Sequence, residues 1–255
     1  MKKKPLIAFN NKPKLKEALI AEMKKHIAAD AVVQGLYGDF KKVAFKNFKG
    51  CGVGCTVKSY SKITKRKLFL YIHSNYELFG IPADTAEVED TLFESLNPKS
   101  CINFPLQLLE AIPVGADLTN VILNFQYWLL TDKKYGLYQF IDSRNLQKDF
   151  DEIMGIVPYT CIDPLDSYGR YIFRFIKTTK NNKHNLCIQN ILSYYFILLE
   201  TCSSSIYTLS LYEDTFSKLL GIPTQNYVQV VCDKFLQLLR DAPLHDSLSK
   251  EIKNV

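Results

Sequence analysis

Two cysteines four positions apart stand in a glycine-rich run, Phe48-Lys49-Gly50-Cys51-Gly52-Val53-Gly54-Cys55. Close cysteine pairs of this kind supply half of a tetrahedral metal site. Two histidines, His73 downstream and His26 upstream, are the residues that would complete a set of Cys51, Cys55, His73 and His26. A second chemistry uses one thiol as a nucleophile. A Cys55 or Cys51 thiolate would need backbone amides at a helix start, or a nearby His73 or His26, to stabilise it. The glycine-rich backbone would then donate N–H groups to a developing oxyanion. The third reading is packing alone, with small buried cysteines filling the space where glycines bring two backbones together. The three readings stay open at this level, and none specifies a cofactor.

A second group is acidic. Glu87, Asp90 and Glu94 recur at i, i+3 and i+7, which places them on one helical face beside the apolar stripe Val88, Leu92 and Leu96. Such a row can hold a hard cation or do acid–base work. Its ordinary role is a solvated face, and a third role is to meet the basic first helix. His73 and Glu77 lie four apart, a spacing that puts them on one face of a helix. Trp128, the single tryptophan, lies in the apolar run Phe125 to Leu130, where core packing is its usual task and ligand stacking the alternative.

The third group is basic. Residues 1–70 carry 17 Lys and Arg against 4 Asp and Glu, whereas the rest of the chain carries 15 against 22. Within that first part Lys41, Lys42, Lys46, Lys49 and Lys58 alternate with Phe40, Phe45, Phe48 and Tyr60. Rings flanked by cations form stacking platforms with phosphate contacts alongside. Lysines also serve solubility alone, and the chain shows no zinc-finger, RRM or Walker signature. The segregated charge points to an acidic macromolecular partner, nucleic acid or protein.

The elements that must position these residues read as helices. Over Lys12–Ile27, Leu15, Leu19, Met23 and Ile27 repeat every four residues, an amphipathic stripe. The glycines and cysteines near residues 48–56 predict a tight loop that opens the next helix. A short helix should end at Gly80, with Pro82 opening another that runs to about Leu96. Cys101–Ala111 is a further apolar segment, and Asp117 is placed to cap a helix over Leu118–Leu130. Two or three helices are expected between Gly136 and Lys177. Three more are expected at about 185–201, 205–220 and 224–241. Low glycine and proline counts, 11 and 10, agree with a mainly α fold of about 8–10 helices. With 47% apolar residues, the 255 residues are read as one helical domain, with a candidate subdomain break near 178–184.

Seven cysteines, odd in number and irregularly spaced, suit a reducing, cytoplasmic compartment better than a disulfide framework. The basic start MKKKPLIAFNNKPK has an apolar run of only Leu6 to Phe9, too short for a signal sequence. The apolar stretch Ile191–Leu211 is interrupted by Glu200 and the polar residues 201–205, short of a membrane span.

The series Gly50-Cys51-Gly52-Val53-Gly54-Cys55, His73, Gly80-Ile81-Pro82, Glu89-Asp90, Phe93-Glu94, Ala111-Ile112, Gly115-Ala116-Asp117-Leu118 and Trp128-Leu129-Leu130 resembles a group of uncharacterised bacterial and phage-encoded helical proteins with a Gly-Cys-Ala-Val-Gly-Cys loop. The resemblance covers about residues 26–131, with a faint echo at Asp233-Lys234-Phe235-Leu236. Gly52 stands where the group tends to have alanine, and a Tyr- and Ser-containing segment replaces the group's alanine-rich region at 185–220. It implies a bacterial or phage setting, directs attention to Cys51, Cys55, His26 and His73, and brings no mechanism. The favoured expectation is therefore a helical binding protein whose basic third engages an acidic partner, including nucleic acid. An enzyme or metalloprotein built on Cys51, Cys55, His73 and His26 is the alternative.

Overall fold

The computed structural model describes residues 5–36, 48–136, 138, 144, 147, 148, 151 and 224–246. Lys41, Lys42 and Lys46, the 178–184 segment and the apolar stretch at 191–211 lie outside these residues, as do most of the helices expected between 136 and 220. The fold is mainly helical, as the periodicity predicts. No described helix is long and apolar enough to cross a membrane.

The chain forms two compact units, Met1–Ile122 with Val228–Val255, and Leu123–Tyr227. In the first, α1 (Pro13–Ala28) begins with proline at its first position and buries Leu19 and Met23. It packs on α2 (Gly52–Thr64) and α5 (Phe104–Ala111). A 3-10 helix, His73–Phe79, precedes α3 (Ala83–Ser95), and the two pack together and against α2. The short α4 (Pro98–Cys101) is capped by Asn97, whose side chain accepts from Lys99 N and Ser100 N. α6 (Val121–Thr131) and α7 (Thr224–Arg240) each straddle a unit boundary. The first unit's core includes Phe9, Tyr60, Phe79, Phe93, Leu108 and Phe235.

The stop at Gly80 matches its sequence signal. Gly80 sits at φ +77° as the left-handed cap of the 3-10 helix. Its missing side chain also lets the N-terminal segment cross it, because a Cβ there would lie 1.8 Å from the Ile7 carbonyl oxygen. That segment turns through three left-handed residues, Phe9, Asn10 and Asn11, and Asn10 Nδ2 donates to Leu78 O at 3.0 Å. Ala8 N donates to Ala116 O and Ala8 O accepts from Gly115 N, and Gly115 to Asp117 pair in turn with Pro243 to His245.

Two expectations shift. The glycine-rich stretch is a loop only up to Cys51; Gly52, Val53, Gly54 and Cys55 form the first turn of α2. Tertiary packing overrides the low helix propensity of glycine, since a Cβ on Gly52 would stand 2.4 Å from the Pro105 ring. Asp117 caps a turn instead of a helix: its Oδ1 accepts from Thr119 N and Oγ1, and α6 begins later, at Val121.

Candidate functional site

The Gly-Cys segment contributes structure first. Cys51 is the N-cap of α2, its sulfur accepting from Gly54 N at 3.4 Å. The Cys55 thiol points back to the backbone, donating to Gly50 O (3.5 Å) and Ala31 O (3.7 Å). Both are fully buried. Burial pushes the Cys51 thiol far up, and the charges of Asp90 and Glu89 add to it. Burial pushes Cys55 up to about 12 against the help of its backbone bond to Gly50. A nucleophile needs the thiolate, which this environment opposes.

Among the described residues no group of three or more His, Cys, Asp and Glu is arranged to hold a metal ion. The structure thus does not bring Cys51, Cys55, His73 and His26 together as a ligand set. His73 goes to Asp90, with Nε2 and Oδ2 3.2 Å apart, and Tyr71 covers its ring edge-on at 5.2 Å. His26 goes to Ser59, one turn along α2 from Cys55, with Nε2 and Oγ 3.1 Å apart.

The acidic row divides in three. Asp90 is buried, Glu94 is exposed and accepts from Gly35 N with both oxygens (3.0 and 2.9 Å), and Glu87 accepts from the Tyr71 phenol at 2.8 Å. α3 packs against α2, α5 and the 3-10 helix, so the face expected to be solvated is partly enclosed. Glu89, singled out by no spacing argument, is fully buried and accepts from the Tyr76 phenol at 2.6 Å. Desolvation raises its pKa to about 8, against the Tyr76 bond and with the help of the Asp90 charge. A neutral carboxyl inside the fold is the result.

The basic residues converge. A parallel bridge between Val32 and Gly50, with Val33 N donating to Gly50 O at 2.9 Å, lays residues 48–50 beside the chain that leaves α1. This brings Phe48 and Lys49 to a cleft of about 360 Å³ between α1 and α2, lined also by Glu22, Lys25, His26, Lys58, Ser59 and Lys62. Four lysines there face one carboxylate. Glu22 is held by Lys25 at 2.6 Å and by Lys62 at 2.5 Å. Burial works against its ionisation, but those two lysines outweigh it and its pKa falls. Lys58 Nζ lies 5.4 Å from the Phe48 ring centroid, a cation–π contact, and its pKa is lowered by burial. Burial also lowers the pKa of His26, Glu22 pulling the other way, so the imidazole is neutral at pH 7.

Of the basic residues expected to bind, Lys49 lies in this cleft, and Lys41, Lys42 and Lys46 lie outside the described residues. Spacing offered a signal for two cleft residues passed over, Glu22 and Lys62: Glu22 stands four positions before His26 on α1, and Lys62 four positions after Lys58 on α2. Trp128 belongs to the second unit, where its Nε1 donates to Asp132 at 2.9 Å and its ring stacks on Phe125 at 6.4 Å. Comparison with family models, curated proteins and solved structures finds no match to this chain.

Proposed function

We propose that the chain is a helical binding protein that holds nucleic acid through the cleft between α1 and α2. The observation that carries this reading is the convergence of Lys25, Lys49, Lys58 and Lys62 around Phe48 and a neutral His26 in one concavity. Lysines on two helices and a connecting segment, held around one cavity, concentrate positive potential where a phosphate chain enters. A merely solubilising set has no need to converge. The excess of 17 basic over 4 acidic residues in residues 1–70 extends the field beyond the cleft and steers a polyanion to it.

The test is the salt dependence of oligonucleotide binding by the full chain, followed by fluorescence anisotropy. Affinity should fall log-linearly with salt, and Lys25→Gln and Lys49→Gln should each lower the slope by about one while weakening binding. No binding at low salt, or binding indifferent to both substitutions, would remove the proposal.

A further inference from the structure

We infer that the cleft takes one unstacked nucleotide of a single strand, its base inside against Phe48 and its flanking phosphates on the rim lysines. This rests on the reading that the cleft binds nucleic acid. Its volume, about 360 Å³, lies at the lower end of the range of roughly 300–1,000 Å³ for pockets that enclose small ligands. A concavity of that size encloses a single unit of a polymer.

Chemistry inside differs from chemistry at the edge. Ala31, Phe48, Ser59 and His26 give the cleft an uncharged stretch of wall beside the buried stem of Lys58 and the ion-paired Glu22, whereas Ala29, Lys25, Lys49 and Lys62 are solvent-exposed. A duplex keeps its bases stacked and presents phosphates on a convex rod, so it would meet the lysines and leave the uncharged lining unused. A single strand can turn one base out of its stack and use both.

The lining is held in place. Lys58 is only 6% exposed and sets its ammonium over the Phe48 ring, while His26 meets that ring at 5.9 Å with the planes at 62°. The Ser59 hydroxyl has one proton, which it donates to Cys55 O at 2.8 Å, so at the His26 contact its oxygen must accept. His26 therefore carries its proton on Nε2 and keeps Nδ1 as an acceptor, the form suited to an N–H of a base, the ring N3–H of thymine and uracil included. Aromatic stacking tolerates any base, so the site selects strandedness more than sequence.

The experiment compares fluorescein-labelled oligo(dT) and oligo(U) of about a dozen nucleotides with a duplex of about twice that length, at about 50 mM salt. Both single strands should bind at least about tenfold tighter than the duplex. Phe48→Ala should cost single strands about tenfold, the lower part of the range for one stacked base, and leave the duplex unchanged. Phe48→Trp should restore binding, and its added emission should be quenched by the single strands. Tighter binding of only one of the two single strands would assign the site to DNA or to RNA. Equal binding of duplex and single strands, with Phe48→Ala silent while Lys49→Gln weakens both, would overturn this inference and leave the nucleic-acid reading standing. Binding of none of the three probes would overturn both.

Discussion

The Tyr76 phenol donates to Glu89 Oε2 at 2.6 Å, and Glu89 Oε1 has no hydrogen-bond partner. A carboxylate in that position would be a buried charge with a single donor, so the proton stays on. Tyr76 is itself held well above its ordinary pKa, by burial first and then by the Glu89 charge, and so remains the donor.

Stability should carry this carboxyl's signature. The folded-state pKa of about 8 exceeds the ordinary value of 4.5, so the folded chain holds more protons across that window. The contribution is complete below about pH 4.5 and is lost as pH rises through 8. In Glu89→Gln the amide can accept the same phenol bond without titrating. Thermal melts should therefore show wild-type Tm falling relative to Glu89→Gln between pH 5 and 8.5. Parallel curves would mean that Glu89 is ionised in the fold.

The two N-terminal thiols of α2 should be inert. With Cys51 pushed far up and Cys55 at about 12, alkylation of the native protein at pH 7.5 should spare both, and unfolding in guanidinium should release them. Peptide mass spectrometry reads the sites. Rapid native labelling of Cys51 would revive the nucleophile reading. As a cap, Cys51→Ser should be tolerated and Cys51→Ala should cost about 1 kcal/mol.

Three glycines should rank by what surrounds them. Gly80→Ala combines φ +77° with a backbone oxygen at 1.8 Å and should cost about 3 kcal/mol or more. Gly52→Ala meets the Pro105 ring at 2.4 Å and should cost about 1–3 kcal/mol. Gly35→Ala, at φ +74° with nothing within 4 Å, should show only the left-handed strain of about 1–2 kcal/mol. Denaturant midpoints decide the order, and Gly35→Ala as the worst of the three would contradict the packing described.

His26 should titrate below 6.5 in the free protein, because burial outweighs the pull of Glu22 and the charges of Lys62 and Lys58 add to the depression. Its protonation opposes folding, so its contribution to stability is present above 6.5 and declines as pH falls below it. An NMR titration of the imidazole should show the low midpoint, and an added single-stranded oligonucleotide should lower it further by enclosing the ring and bonding to its neutral form. A midpoint that does not respond would place the ligand elsewhere.

The helical framework was legible in the chain because it is local. Leu15, Leu19, Met23 and Ile27 mark the buried side of α1 at its own period. Gly80 and Pro82 mark a stop and a start through backbone requirements any reader of φ can recognise. The acidic row resisted the same logic. Periodicity places Glu87, Asp90 and Glu94 together on one face, but α2, α5 and the 3-10 helix enclose part of that face and bury Asp90 with the adjacent Glu89. Which carboxylate meets a phenol or an imidazole depends on partners 13 to 17 residues away, beyond the reach of helical spacing.

From the sequence alone follow the helical class, the first helix, the Gly80 stop and the segregation of charge, since each depends on residue type and near spacing. Tertiary structure decided where the Gly-Cys segment and the lysines lie and what they touch. Cys51 and Cys55 became a cap and a buried thiol because Gly52 lets α2 approach Pro105. Lys25, Lys49, Lys58 and Lys62 came to line one cleft because the Val32–Gly50 bridge folds the connecting segment back beside the two helices it joins. Convergence of that kind is a property of long-range packing, which no local pattern encodes.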